Sequence, residues 1–140
     1  MYLISAYFDE NTNKILKHLQ QRIADKTGND FMIRNNVMPH LTISAIEARN
    51  VDVLIPAFEK VCRGKLQPLE EKSVANNTIN IVSVGQLFPR VIYAAPVLNE
   101  YMMNLSISIY NEFATIPETN ISKFYQPYSW MPHITLGKCL

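Results

Sequence analysis

The sequence predicts an α+β protein, and three observations support this fold class. The 140 residues are 48% hydrophobic and 18% charged, which is the balance of a globular chain that can bury a core. The pattern of apolar residues gives the order strand, helix, strand, helix, three strands, helix, strand. No linker-like stretch divides the chain, so we expect one domain over residues 1–140.

The first strand and helix are predicted from apolar content and capping residues. Residues 2–8 are rich in aromatic and aliphatic side chains, and Asp9 then offers an N-cap. The helix is expected to reach about Lys26. Gly28 should end it, because glycine readily adopts the left-handed conformation found after helices. A polar loop is expected over residues 28–38.

A second strand and helix follow. Residues 40–46 alternate between polar and aliphatic side chains, as in a strand with one buried face. The next apolar residues recur at helical spacing until Gly64. Since proline is tolerated only in the first helical turn, Pro56 requires this helix to begin near Asp52 or later.

The remaining chain is predicted to contain four strands, one helix and a long loop. A proline can open a helix, because the first amide hydrogens lack helical partners. A long loop in a compact domain usually has a function. In chain order we expect strands over 66–74 and 78–84 joined by a turn at Asn76 and Asn77, a strand over 91–95, a helix from Pro96 to Phe113, a loop over 115–131, and a strand over 133–138.

Two segments of the chain match each other, namely Pro39-His40-Leu41-Thr42-Ile43 and Pro132-His133-Ile134-Thr135-Leu136. Two of the chain's three histidines therefore follow a proline and stand two positions before a threonine. Because successive side chains of a strand point to opposite faces, the histidine and threonine of each segment share one face. The aliphatic residues between them take the other face.

Two imidazoles and two hydroxyls suit a phosphodiester substrate. A neutral imidazole can take a proton from water and an imidazolium can protonate a leaving oxygen; histidine does both, because its unperturbed pKa is about 6.5. Threonine hydroxyls can donate hydrogen bonds to phosphate oxygens. His40 and His133 are thus predicted as the acid–base pair, and Thr42 and Thr135 as phosphate-binding residues. Which histidine is the base stays open, and the chemistry needs no metal or other cofactor.

The tandem motif resembles the 2H phosphoesterase superfamily, which includes 2′-5′ RNA ligase-like proteins and cyclic phosphodiesterases. The resemblance implies two similar lobes with pseudo-twofold symmetry, each contributing one His-x-Thr strand, with antiparallel sheets around a central cleft and helices outside. It also implies metal-independent hydrolysis of a 2′,3′-cyclic phosphate, a related cyclic nucleotide or a 2′-5′ linkage, with a nucleotide or short RNA end as substrate. The aromatic stretch over 125–131 also resembles the family.

Several other side chains have a structural and a functional interpretation. Tyr128 and Trp130 are substrate-binding candidates that either stack on a base or ribose or anchor the long loop. Tyr7 and Phe8 are predicted to lie in the core. Ser44 shares the His40 face, but a polar residue at a sheet edge is the simpler interpretation. Outside this set, Arg34, Arg90 and Lys138 are candidates for contacting a terminal phosphate.

Composition and the remaining motifs leave alternatives to an enzyme acting on short substrates. The net charge of +1 offers no basic field for long nucleic acid. No apolar run approaches the ~20 residues that cross a bilayer, and no signal peptide is visible, so we expect a cytoplasmic protein. The alternative function is a non-catalytic nucleotide- or phosphate-binding module. Zinc held by both motif histidines and Cys139 is a lesser alternative, because it leaves the threonines without a role.

Overall fold

The computed structural model describes residues 1–65 and 78–139 and shows a mixed α+β architecture, as predicted. The elements are β1 (Tyr2–Ala6), α1 (Glu10–Thr27), α2 (Phe31–Arg34), β2 (Leu41–Glu47), α3 (Ile55–Lys65), β3 (Ile81–Leu87), β4 (Val91–Pro96), α4 (Glu100–Phe113), β5 (Asn120–Ile121) and β6 (Ile134–Lys138). The strand predicted over 66–74 and the turn at Asn76 and Asn77 lie outside the described residues.

The strands of the described ranges form two sheets of three strands each. The first sheet has the order β1-β2-β5, and the second has the order β3-β4-β6. β2 pairs antiparallel with β5, and β4 pairs antiparallel with both β3 and β6. Each sheet therefore contains one of the two motif strands, β2 in the first sheet and β6 in the second.

The chain divides into two compact units. The first comprises Met1–Ile4, Ile43–Asn80 and Leu98–Met131, and the second comprises Ser5–Thr42, Ile81–Val97 and Pro132–Leu140. Both His-x-Thr segments, at 40–42 and 133–135, belong to the second unit.

In the first unit, α3 packs against α4. Pro56 is the second residue of α3, which confirms that this helix begins beyond Asp52 and holds its proline in the first turn. Lys60 and Glu112 form an ion pair at 2.8 Å between the two helices. The buried apolar residues of these helices and the turn before α3 are Leu54, Val61, Met102, Leu105, Ile109 and Phe113.

In the second unit, α1 packs against β6. The contact is close, because a Cβ added at Gly137 would stand 3.2 Å from Cγ2 of Ile23. The predicted caps of α1 are confirmed: the Asp9 carboxylate accepts a hydrogen bond from the Thr12 amide at 3.0 Å, and Gly28 is left-handed with a φ of 73°. Hydrogen bonds from the Thr12 hydroxyl and amide hold the pKa of Asp9 below its usual value.

Some sequence-based boundaries were wrong. Pro96 does not open a helix; it ends β4 opposite Ile81, and the following helix begins at Glu100 because the Asn99 side chain caps it by accepting from the Met102 amide. The strand expected over 78–84 lies at 81–87.

The two predicted loops contain short regular elements. The loop over 28–38 includes α2, and the loop over 115–131 includes β5 and a 3-10 turn. Of the helices in residues 1–65 and 78–139, none combines the length and apolar character needed to cross a membrane.

Candidate active site

The first motif lies at the beginning of β2. His40 immediately precedes the strand, and His40 and Thr42 are half-buried while Leu41 and Ile43 are buried, as the alternation predicts. Ser44 departs from the pattern, because only 2% of it is exposed and its Oγ has no hydrogen-bond partner among the described residues. The prediction of a polar residue at a sheet edge was therefore wrong for Ser44. β2 lies between β1 and β5, so Ser44 is on the central strand of its sheet.

A backbone hydrogen bond orients the His40 imidazole. Its Nδ1 lies 2.8 Å from the carbonyl oxygen of Met38. Because a carbonyl oxygen can only accept, Nδ1 carries the hydrogen and donates it. In the neutral ring the lone pair is therefore on Nε2, and in the charged ring Nε2–H is a donor. Nε2 is the atom through which His40 can exchange a proton with a ligand.

Two residues flank the first motif: Ser5, near the end of β1, and Tyr7, just beyond that strand. The Ser5 hydroxyl lies 3.3 Å from the Thr42 hydroxyl, so the two side chains form a hydroxyl pair. The Tyr7 ring centroid lies 6.1 Å from that of His40, with the ring planes tilted by 47°. Tyr7 is 67% exposed, and the prediction that it lies in the core was wrong.

The second motif repeats this arrangement at the beginning of β6. His133 immediately precedes the strand, and His133 and Thr135 are half-buried. Ile134 and Leu136 are buried, with 0% and 1% of their surface exposed. The Tyr93 ring of β4 meets His133 nearly edge-on, with ring centroids 5.9 Å apart and planes at 71°.

Thr135 is held by its neighbours on both sides. It lies directly opposite Tyr93 in the pairing of β6 with β4. Its carbonyl oxygen accepts a long hydrogen bond, 3.5 Å, from the side-chain amide of Gln20. Gln20 is a buried polar residue of α1, so this bond ties the helix to the motif strand.

The aromatic candidates of the long loop differ in exposure. Trp130 is buried, with 6% of its surface exposed, whereas Tyr128 is 84% exposed and adopts a positive φ of 67°. Both belong to the first unit. A stacking role therefore stays a prediction for both, and only Tyr128 offers most of its ring to solvent.

The three basic candidates lie at the end of the second sheet away from His133. Lys138 is five residues along β6 from His133, or about 16 Å. Arg90 precedes Val91, which pairs with Lys138. Arg34 and Lys138 line an open cavity of about 270 Å³, in which the Lys138 ammonium stands 5.7 Å from the centre of the Phe31 ring.

The cysteines and the third histidine show no comparable arrangement. Cys62 and Cys139 are free thiols, and the Cys139 sulfur accepts a hydrogen bond from Asn29 at 3.1 Å. Within residues 1–65 and 78–139, no group of three or more His, Cys, Asp or Glu side chains is arranged to hold a metal ion. His18 is an exposed residue of α1.

Comparison with known proteins does not identify a family. The chain matches no protein-family model, and no curated protein is significantly similar to it in sequence.

The structure thus brings each motif histidine against a tyrosine from a segment next to its strand. The four motif residues share one compact unit, and their convergence on one phosphate stays a prediction. The sequence pattern did not indicate Ser5 or Tyr93, and the prediction for Tyr7 was wrong. Parity along β1 would have placed Ser5 and Tyr7 on one face, but no local pattern marks Tyr93.

Proposed function

We propose that this protein is a metal-independent phosphoesterase of the 2H type. Its substrate would be a 2′,3′-cyclic phosphate, or a related cyclic nucleotide or 2′-5′ linkage, on a nucleotide or short RNA end. The observation that carries the proposal is the repeated Pro-His-x-Thr segment. In each sheet, this segment lies at the beginning of a strand, where a half-buried histidine and threonine alternate with buried aliphatic residues. The two-lobed pseudo-twofold fold and a cytoplasmic location belong to the same proposal.

The reaction needs one base and one acid. The base histidine takes a proton from water as the water oxygen bonds to phosphorus. The bond from phosphorus to the 2′ or 3′ oxygen breaks, and that oxygen takes a proton from the acid histidine. The product is a phosphate monoester beside a free hydroxyl. The tautomer of His40 supports its part in this scheme, because the Met38 carbonyl leaves Nε2 as the reactive nitrogen.

The threonines would bind the phosphate. Each hydroxyl can donate one hydrogen bond to a non-bridging oxygen, which gains negative charge in the transition state. The Ser5 hydroxyl, 3.3 Å from Thr42, adds a second donor at the first motif. For the base or ribose, we propose Tyr128 as a stacking residue, since its ring is exposed. Trp130 offers little ring surface, which favours the anchoring interpretation for that residue.

The decisive experiment is hydrolysis of 2′,3′-cyclic mononucleotides, and of short RNA ending in a cyclic phosphate, with a chelator present. His40→Ala and His133→Ala should each lower kcat by about 10²- to 10⁴-fold, the contribution expected of an acid or base. His18→Ala is the matched control and should keep wild-type kcat, because His18 is an exposed helix residue. Circular dichroism and thermal unfolding establish that the variants are folded. Wild-type turnover in either motif variant would disprove the mechanism.

Two further measurements test the acid–base pair and the alternative of a non-catalytic binding module. The pH profile of kcat/KM should be bell-shaped, because the base must be neutral and the acid must be charged. A steady rise to high pH would contradict this pair. If calorimetry shows nucleotide binding that depends on both histidines while the wild type turns over no substrate, the protein is a binding module.

A further inference from the structure

The Tyr93 ring has an unusual position beside the second motif. Tyr93 is the cross-strand partner of Thr135 in β6 and of Gly85 in β3. Side chains of directly paired residues share a face of the sheet. The Tyr93 side chain therefore stands on the face that carries Thr135 and His133, and its ring meets His133 at 5.9 Å.

A β-bulge puts Tyr93 on this face. Ile92 pairs with Gly137, but Tyr93 pairs with Thr135, so β6 has one extra residue, Leu136, at this point. In a regular ladder Tyr93 would lie opposite Leu136, which is 1% exposed and faces the core. Since a shift of one residue exchanges the two faces of a strand, the bulge puts Thr135 and His133, instead of Leu136 and Ile134, on the face of the sheet that carries Tyr93.

Gly85 provides the space in which the ring lies. A Cβ added at Gly85 would stand 2.5 Å from the Tyr93 hydroxyl oxygen and 2.6 Å from Cζ. Carbon atoms do not approach this closely without bonding, so any side chain at this position would displace the ring. A glycine in a strand often marks the close approach of another group, and here that group is an aromatic ring.

We propose that Tyr93 is a positioning residue for His133. Gly85 and the bulge at Leu136 hold the Tyr93 ring against the imidazole and restrict the ring orientations that His133 can adopt. The inference rests on the proposed function, in which His133 must present one nitrogen to the substrate. At the first motif, the hydrogen bond to the Met38 carbonyl orients His40.

The kinetic test uses the full chain and the cyclic mononucleotide assay. Gly85→Ala and Tyr93→Ala should each lower kcat by about 10- to 100-fold with little change in KM, because a misplaced catalytic group loses rate rather than affinity. Tyr93→Phe keeps the ring and should stay close to wild type. Gly64→Ala is the matched control, since a Cβ there meets nothing within 4 Å. In the Tyr93→Ala background, Gly85→Ala should cause no further loss.

An independent readout is the ring NMR signal of each of the chain's three histidines, assigned with His→Ala variants. Gly85→Ala and Tyr93→Ala should shift the His133 signal and leave those of His18 and His40 in place. An unchanged His133 signal, or unchanged kcat in both variants of an enzyme that requires His133, overturns the inference. If the wild type shows no turnover, the proposed function fails, and the His133 side-chain couplings then decide the inference: more ring orientations in Tyr93→Ala than in the wild type support positioning, and an unchanged orientation overturns it.

Discussion

The strands β2 and β6 carry the same Pro-His-x-Thr segment, but the tyrosines that contact their histidines differ. At β2, the Met38 carbonyl accepts a hydrogen bond from Nδ1 of His40, and the neighbouring Tyr7 is 67% exposed. At β6, a half-buried Tyr93 ring lies against His133 and fits over Gly85. The tyrosine at His40 stands just beyond the end of a strand, whereas the tyrosine at His133 belongs to β4 and lies over Gly85 of β3.

The two sites show how far a short motif determines its surroundings. Alternation along the strand is local, and it produces the same buried and half-buried residues at both sites. The tyrosines that flank the two histidines come from other segments, Tyr7 from just beyond β1 and Tyr93 from β4. We therefore expect the two sites to respond alike to changes on their buried side, formed by the aliphatic residues. We expect them to respond differently to changes on their functional side, formed by the histidines and threonines.

The largest expected effect tests the shared, buried side. Leu41→Ala and Ile134→Ala should each lower the free energy of unfolding by about 2–5 kcal/mol, because each removes buried methyl groups and leaves a cavity. The exposed fractions of these residues are 1% and 0%. Denaturant unfolding measures the change. Ile15→Ala is the control and should have little effect, since Ile15 is 62% exposed. A loss at only one of the two strands would break the equivalence.

A smaller effect tests the functional side. Thr135→Val removes a hydroxyl at constant shape and should lower kcat by about 10²- to 10³-fold, the scale for one transition-state hydrogen bond. Thr42→Val should lose less, because the adjacent Ser5 hydroxyl can donate in its place. Adding Ser5→Ala to Thr42→Val should bring the loss to that of Thr135→Val. Equal losses in the two single threonine variants would show that Ser5 is not a substitute donor.

The smallest effect concerns the segment that carries Tyr7. Asp9 caps α1 two residues after Tyr7, and hydrogen bonds from Thr12 lower the pKa of Asp9 below the usual 3.8. Its carboxylate therefore stabilises the folded chain above the unfolded-state pKa, and the contribution disappears as the pH falls through the folded-state pKa. Asp9→Ala should lower Tm slightly near neutral pH and have a smaller effect below about pH 3. A Tm difference that is independent of pH would contradict this.

Much of the fold could be predicted because its signals are local. Asp9 and Gly28 cap α1 as expected, and Pro56 correctly restricts the beginning of α3. Pro96 was misassigned because a proline is acceptable both at a strand end and at a helix start. The pairing of Pro96 with Ile81 and the Asn99 cap decide between the two structures, and that pairing joins residues 15 positions apart.

The candidate site also has some features that local sequence patterns predict and others that they do not. A shared face for the histidine and threonine of each segment is predicted by strand alternation, and His40, Thr42, His133 and Thr135 are each half-buried. The positions of Tyr7 and Tyr93 beside the histidines could not be predicted from strand alternation. An aromatic residue near a strand end is usually core, and only the surroundings show that Tyr7 is exposed beside His40.

Local sequence patterns are enough to predict the fold class, the caps of the first helix, and the two segments in which a histidine and a threonine share a strand face. Each pattern depends on residues within a few positions of one another, where backbone geometry leaves few choices. The contact between Tyr93 and His133 has no such local pattern and depends on how the strands pair. A bulge of one residue exchanges the faces of a strand, and its position is set by pairing between strands about 40 residues apart in sequence.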